Sequence, residues 1–245
     1  MDGMRLDGRT AVVTGGAGGI GSAIAADLAS LGARVIVADV DLQGAEKVAA
    51  GLAGASALAV DLASPPSIEG FTAVAGQVDI LVHNAGVSIV EQFTEGDPAG
   101  WDLMWQVNLR GPMLLTKLLL PGMLAGEWGR LVFVSSDGAR AGSGGEAAYA
   151  ATKSGLFGLA KTLAREVARA NVTANVVCPG PTDTPMLRRV GADRPGLVEK
   201  IARGIPLRRL GTPADVAGLV AYLCTDRAAY LTGQTLSVSG GVTMH

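Results

Sequence analysis

Short β-branched runs alternate along the chain with longer segments rich in alanine and leucine. The runs Thr10–Thr14, Arg34–Asp39, Ala57–Asp61, Asp79–Asn84, Arg130–Ser135, Thr173–Cys178 and Thr235–Val238 predict strands. Between them, Ile20–Leu31, Asp41–Leu52, Trp101–Leu124, Tyr149–Ala170 and Ala214–Leu223 predict helices. A shorter helix is expected over Ser64–Gly76, where Ser64-Pro65 supplies a helix-start signal. Strands such as AVVT and DILVH are apolar without alternation, as they are when both faces of a sheet are covered. The alternation of strand and helix therefore predicts an α/β fold: one doubly wound, mostly parallel, seven-stranded sheet with helices on both faces, in a single domain over residues 1–245. Thr184–Pro206 departs from the pattern. It is rich in charge, glycine and proline, and fits a mobile lid over a site better than a core element.

Composition narrows the function classes. Of 245 residues, 49% are hydrophobic and 35 are glycine with no repeat, which is globular rather than fibrous or disordered. A formal charge of −2 with scattered basic residues leaves no footprint for nucleic acid. Cys178 and Cys224 lie far apart without metal-ligand spacing, so two buried thiols in a reducing compartment are expected, and no metal site is implied. The first residues, MDGMRLDGRTAVV, lack a signal-peptide pattern, and Lys117 and Pro121 interrupt the longest apolar run. A soluble, cytoplasmic protein with no membrane contact is the expectation.

Chemistry enters at Thr14-Gly15-Gly16-Ala17-Gly18-Gly19-Ile20-Gly21, between the first strand and the first helix. Glycines there permit a tight turn and let a pyrophosphate approach backbone N–H groups at a helix N-terminus. The second strand ends at Asp39, placed to accept hydrogen bonds from the adenosine ribose and to repel a 2′-phosphate; the alternative is a helix-capping aspartate. No Arg or Lys stands within the turn or directly after Asp39, so NAD is favoured over NADP. Further on, Tyr149 and Lys153 stand four apart in a predicted helix, which puts both on one face. An isolated pair of that kind is ordinarily a half-buried tyrosine beside a surface lysine. The surrounding motifs decide otherwise.

With these pieces the chain resembles the short-chain dehydrogenase/reductase family, and its Rossmann fold, over essentially its whole length. Thr14, Gly15, Gly19 and Gly21 fit the family's TGxxxGxG pattern, and Asp61 stands where the family contacts adenine. His83-Asn84-Ala85-Gly86 matches the Asn-Asn-Ala-Gly segment except at His83. Asn108, Ser136 (13 residues before Tyr149), Tyr149 and Lys153 match the catalytic tetrad, and Pro179-Gly180-Pro181-Thr182-Asp183-Thr184 matches the loop that holds the nicotinamide carboxamide. The resemblance implies a cofactor set of Gly15, Gly19, Ile20, Gly21, Asp39, Asp61, Leu62, Asn84, Gly86, Tyr149, Lys153, Pro179, Gly180, Thr182 and Thr184. It also implies roles. Tyr149 exchanges the proton, and Lys153 lowers its pKa, a cation at 4 Å being worth about 4 kcal/mol at an effective dielectric of 20. Ser136 polarises the substrate oxygen, and Asn108 holds a water in a proton relay.

For the substrate, SDGARAGSGGEAAYAATK, CPGPTDT, IPLRRLGTPADVAG and TGQTLSVSGGVTM resemble the branch of the family that oxidises 2-hydroxycyclohexanecarboxyl-CoA; Ser239 stands where the wider family carries an acid. Val87, Ser88 and Met186 are expected to line the pocket. Arg140 is read either as a partner for an anionic substrate group or as a loop salt bridge, with Glu146 as one candidate partner. Arg188, Arg189 and Arg194 either meet a CoA phosphate or form a solvated face. The alternatives are a 3-oxoacyl thioester reductase, a sugar or polyol dehydrogenase, and an NAD-sensing protein without turnover. The family's homotetramer is also implied.

Overall fold

A computed structural model describes residues 3–192 and 196–244. Arg194 lies outside the described residues. The chain runs β1 (Thr10–Thr14), α1 (Gly19–Ser30), β2 (Arg34–Asp39), α2 (Leu42–Ala50), β3 (Ser56–Ala59), α3 (Pro65–Ala75) and β4 (Ile80–His83). It continues through α4 (Pro98–Trp105), a π-helical turn at Gln106–Arg110, α5 (Gly111–Ala125), β5 (Gly129–Val134), α6 (Asp137–Ala141) and α7 (Ala147–Val167). The last elements are β6 (Val172–Pro179), α8 (Pro185–Ala192), α9 (Leu197–Gly204), α10 (Pro213–Leu223) and β7 (Thr235–Val238).

The strands form one sheet in the order β3-β2-β1-β4-β5-β6-β7, and every pairing is parallel. This sharpens the expected mostly parallel sheet to a wholly parallel one. Side chains alternate between two apolar layers, as the period of two requires. Ala11, Val13, Val35, Val37, Ile80, Val82, Val132 and Val134 face α1, α2 and α10, whereas Val12, Ile36, Ala38, Leu81, Leu131 and Phe133 face α3, α5 and α7. Both layers are buried, which explains why the strands read as unbroken apolar runs.

Local chemistry sets the helix ends. The Ser64 side chain accepts from Ser67 N and Pro65 opens α3, while Asp41 caps α2 by accepting from Gly44 N. The expected single helix Trp101–Leu124 is corrected: it begins at Pro98 behind an Asp97 cap and is interrupted at Gln106–Arg110. A wide turn of this kind spends one extra residue to redirect side chains, which apolar periodicity does not register. The segment expected as a lid carries two short helices, α8 and α9.

The strand order reverses at β1, with β2 on one side and β4 on the other. In a parallel sheet that reversal opens a crevice at the C-terminal strand ends, and the site is built there.

Candidate functional site

Thr14, Asp39, Asn84, Ser135, Ser136, Pro179 and Gly180, at or just beyond the C-terminal ends of five strands, line a cleft of about 990 Å³. Thr14 ties two of those ends together. Its hydroxyl donates to Val82 O and accepts from Asn84 N (3.1 Å) and Ala85 N (3.2 Å). The Asn84 amide returns the link, donating to Thr14 O and Gly15 O. Gly15 has φ +65°, and a Cβ there would stand 2.7 Å from Ala85 Cα, so only glycine fits the turn.

The glycine turn fits a dinucleotide. Helix α1 starts at Gly19 without a side-chain cap, so its first N–H groups face the cleft unclaimed, as an anion-binding terminus requires. Asp39 lines the cleft half-buried, with Oδ2 accepting from Ala17 N and Oδ1 from Asp41 N, both at 3.0 Å. Those two bonds fix the carboxylate at the crevice edge, so it is more than a cap for α2, a role taken by Asp41. Asp61, Leu62 and Gly86 also line the cleft, as do Ile20, Thr182 and Thr184, and Thr182 is pinned to Gly211 by a strand-like bridge. Gly21 stands one residue behind this wall, buried under the turn.

The four polar residues expected to act together converge. Ser136 caps α6, its hydroxyl accepting from Gly138 N at 3.1 Å. Tyr149 and Lys153 project from the first turns of α7, both buried and both lining the cleft. Lys153 Nζ donates to Val134 O at 2.9 Å. Asn108 sits in the π-helical turn, where Oδ1 accepts from Val87 N and Nδ2 donates to Val87 O (both 2.9 Å) and to Thr152 Oγ1 (3.1 Å). Gly86 packs between the last two. A Cβ on it would lie 2.9 Å from Lys153 Nζ and 3.2 Å from Asn108 Oδ1.

Electrostatics departs from one expectation. The Tyr149 phenol is not held low by a lysine: burial pushes it up to about 12, the Glu146 carboxylate adds to the rise, and the Ser136 hydroxyl opposes it. Lys153 is itself lowered to about 8 by burial, and one of its three ammonium donors goes to Val134 O. A phenol held neutral is suited to giving a proton to a developing alkoxide.

Val87, Ser88 and Met186 line the cleft, as do Val90, Leu103, Val107, Leu197 and Ile201. Arg140 does not, which corrects its assignment. Its guanidinium turns back to β7, donating to Ser237 Oγ at 2.9 Å and Thr235 O at 3.4 Å. It pairs neither with a substrate position nor with Glu146. Arg188 pairs with Asp183, while exposed Arg189 lines the cleft. Glu146 lines the cleft as well, a role that spacing alone did not signal because it depends on the side chain's direction at the helix start. His83 is buried, stacked on Phe133 and bonded through Nε2 to Thr116 Oγ1 at 2.8 Å; burial lowers it to about 3. Ser239 accepts from Thr243 N, closing a turn behind Gly180. Among the described residues no cluster has metal-ligand geometry, and no helix is long and apolar enough to cross a membrane.

Comparison with known proteins supplies the context. A family model described as enoyl-(acyl carrier protein) reductase matches residues 15–243. The 3-oxoacyl-[acyl-carrier-protein] reductase FabG of Escherichia coli (strain K12) is 39% identical over 98% of this chain and 100% of its own. The 2,3-dihydroxy-2,3-dihydro-p-cumate dehydrogenase of Pseudomonas putida is 40% identical over 98% and 96%. Among solved structures, one described as a short chain dehydrogenase/reductase family protein superposes with a TM-score of 0.91 at 37% identity, covering 97% of this chain and 98% of that one. Another, provisionally named an NAD(P)-dependent gluconate 5-dehydrogenase from Beutenbergia cavernae and holding NADP at low occupancy, gives 0.91 at 36% identity over 97% and 98%.

Proposed function

Since this chain belongs to the short-chain dehydrogenase/reductase family and is an oxidoreductase of CH–OH groups, we propose that it uses NAD(H) to interconvert a secondary alcohol and a ketone on a hydroxyacyl thioester, such as 2-hydroxycyclohexanecarboxyl-CoA. The observation that carries the reading is the convergence of Ser136, Tyr149, Lys153 and Asn108 around one end of the cleft, with the glycine turn and Asp39 at the other. Bound nicotinamide supplies the hydride acceptor or donor. Ser136 Oγ orients the substrate oxygen. Tyr149 gives its hydroxyl proton to that oxygen in ketone reduction, and in alcohol oxidation its phenolate form takes the proton from it. Lys153 holds the nicotinamide ribose and, with Asn108 beside it, passes the proton toward solvent. Asp39 supports NAD over NADP, because a carboxylate fixed by two backbone N–H groups repels a 2′-phosphate.

A cyclic carbinol is supported by the apolar lining of Val87, Val90, Leu103 and Val107, and by the Pseudomonas putida relative, whose name describes a dihydroxy-dihydro ring. The second reading, a 3-oxoacyl thioester reductase, is favoured by the full-length match to the Escherichia coli enzyme. A homotetramer working in the cytoplasm completes the proposal by family likeness.

The test is NAD reduction by 2-hydroxycyclohexanecarboxyl-CoA, run beside NADH and NADPH oxidation by acetoacetyl-CoA. The proposal expects fast NAD reduction with the cyclic thioester. Turnover of the linear ketoacyl thioester alone would move the protein to the second reading, and NADPH preference there would overturn the role given to Asp39. Tyr149→Phe is expected to lose turnover by at least about a hundredfold while keeping NAD affinity, since proton transfer contributes that much or more. Retained turnover would remove Tyr149 from the mechanism.

A further inference from the structure

Two carboxylates line the cleft near Ser136: Asp137, buried and bonded to Ser237 Oγ, and Glu146, half-buried with its carboxylate free. Glu146 immediately precedes α7, one helical turn before Tyr149, so both side chains lie on the face that looks into the cleft. Its position relative to the reacting groups is marked by Gly138. A Cβ built there would lie 3.2 Å from Glu146 Oε2 and 3.4 Å from Ser136 Oγ, which places the carboxylate beside the serine that orients the substrate oxygen. Glu146 also stands close enough to disfavour the Tyr149 phenolate. Among the described residues, no hydrogen bond and no ion pair compensates this carboxylate. The nearest candidate cation in sequence, Arg140, is turned away to Ser237. The exposed Arg189 on α8 also lines the cleft.

We propose that Glu146 is a specificity-determining residue that restricts the site to substrates uncharged next to the reacting carbon, such as esters, thioesters and plain alcohols, and rejects free α- and β-hydroxy or keto acids. The inference rests on the reading that the substrate oxygen lies between Ser136 and Tyr149. A free carboxylate one or two bonds from that oxygen would face Glu146 at short range, where like charges repel. Esterification to a thiol removes that charge and leaves the rest of the acyl group unchanged. Phosphates on a distant tail are not penalised, because the repulsion falls with distance and is screened by solvent ions.

The experiment compares acetoacetate with its neutral ester, ethyl acetoacetate, as oxidants of NADH, in the wild type and in Glu146→Gln and Glu146→Asp. The readout is the ratio of kcat/KM for ester over acid. In the wild type this ratio is expected to exceed about a hundred, and in Glu146→Gln to fall by about tenfold or more, a change of about 1.4 kcal/mol. The change should lie mainly in KM for the acid. Glu146→Asp keeps the charge and is expected to keep most of the discrimination, which separates charge from shape. Added salt should lower the wild-type ratio and leave that of Glu146→Gln nearly flat. An equal ratio in wild type and Glu146→Gln would overturn the proposal. If the ratio collapses in Glu146→Gln while acetoacetyl-CoA is never turned over, the acyl-CoA reading falls and the charge filter stands.

Discussion

His83 shows how one substitution in a family motif is absorbed. Where the motif carries asparagine, this chain places an imidazole flat against Phe133, 4.9 Å between ring centroids, and bonds it to Thr116 on α5. The ring is neutral in the fold because burial lowers it to about 3 from an ordinary 6.5. In the unfolded chain the same ring protonates as pH falls through 6.5, so the unfolded state gains protons first. Stability therefore declines from about pH 6.5 downward until the folded ring titrates near 3. Between pH 7.5 and pH 5 the loss from this one group is about 2 kcal/mol. His83→Asn is expected to remove that share of the acid sensitivity while costing about 1–3 kcal/mol at neutral pH through the lost Thr116 bond and ring contact. Urea unfolding of both proteins at the two pH values decides it; parallel losses would show that His83 is not the acid-sensitive group. At this scale the positions of Asn108, Ser136, Tyr149 and Lys153 were legible, because motif spacing fixes where a residue sits. The directions of Arg140 and Glu146 were not. Arg140 ends α6 and Glu146 stands just before α7, and only packing sends one to β7 and the other into the cleft.

Helices and strands were legible where apolar periodicity was long, and the π-helical turn at Gln106–Arg110 was invisible because one extra residue leaves the composition of a helix unchanged. That turn matters to the site. It lets the Asn108 amide bond both backbone groups of Val87, joining α4 and α5 to the loop after β4. A second junction sits at the opposite end of the sheet. Trp128, just before β5, is sandwiched by the guanidinium groups of Arg9 (3.8 Å) and Arg130 (4.1 Å), and Asp226 accepts from both Trp128 Nε1 and Arg130 Nη2. Arg130 is fully buried, with 0% of its side chain exposed, whereas Asp226 is 59% exposed, so the two partners contribute unequally. Arg130→Ala opens a cavity under the tryptophan and is expected to cost about 2–5 kcal/mol. Asp226→Asn keeps an acceptor, and Arg130 keeps its bonds to Gly129 O and Asn171 O, so about 1 kcal/mol is expected. Denaturant midpoints order the two variants, and a larger loss for Asp226→Asn would reverse the assignment.

For the whole molecule, the α/β class and strand count followed from the alternation of runs, but strand order did not, since periodicity carries no information on which strands are neighbours. The observed order places β1 at the reversal and gathers residues distant in sequence into one cleft. Cofactor binding should consequently stabilise the entire fold. NAD at about a hundred times its Kd adds about 2.7 kcal/mol, which for a chain of this length raises Tm by about 5–10 °C. NADP at the same concentration is expected to give a much smaller rise, and Asp39→Ala to narrow the gap. Equal shifts with the two nucleotides in the unaltered protein would refute the preference for NAD.

The hydroxyl of Thr14 reaches Val82 O across 68 residues of chain. The nucleotide turn is thereby fastened to a strand synthesised much later, beyond the bonds that Gly16 N and Ala17 N make to the end of β2. Closing a loop of that size costs about 4 kcal/mol of chain entropy before any contact rewards it. During refolding, helical signal from local segments should accordingly recover ahead of the capacity to quench or enhance nicotinamide fluorescence. The turn that reads most plainly in the sequence is among the last parts of the molecule to acquire its working shape.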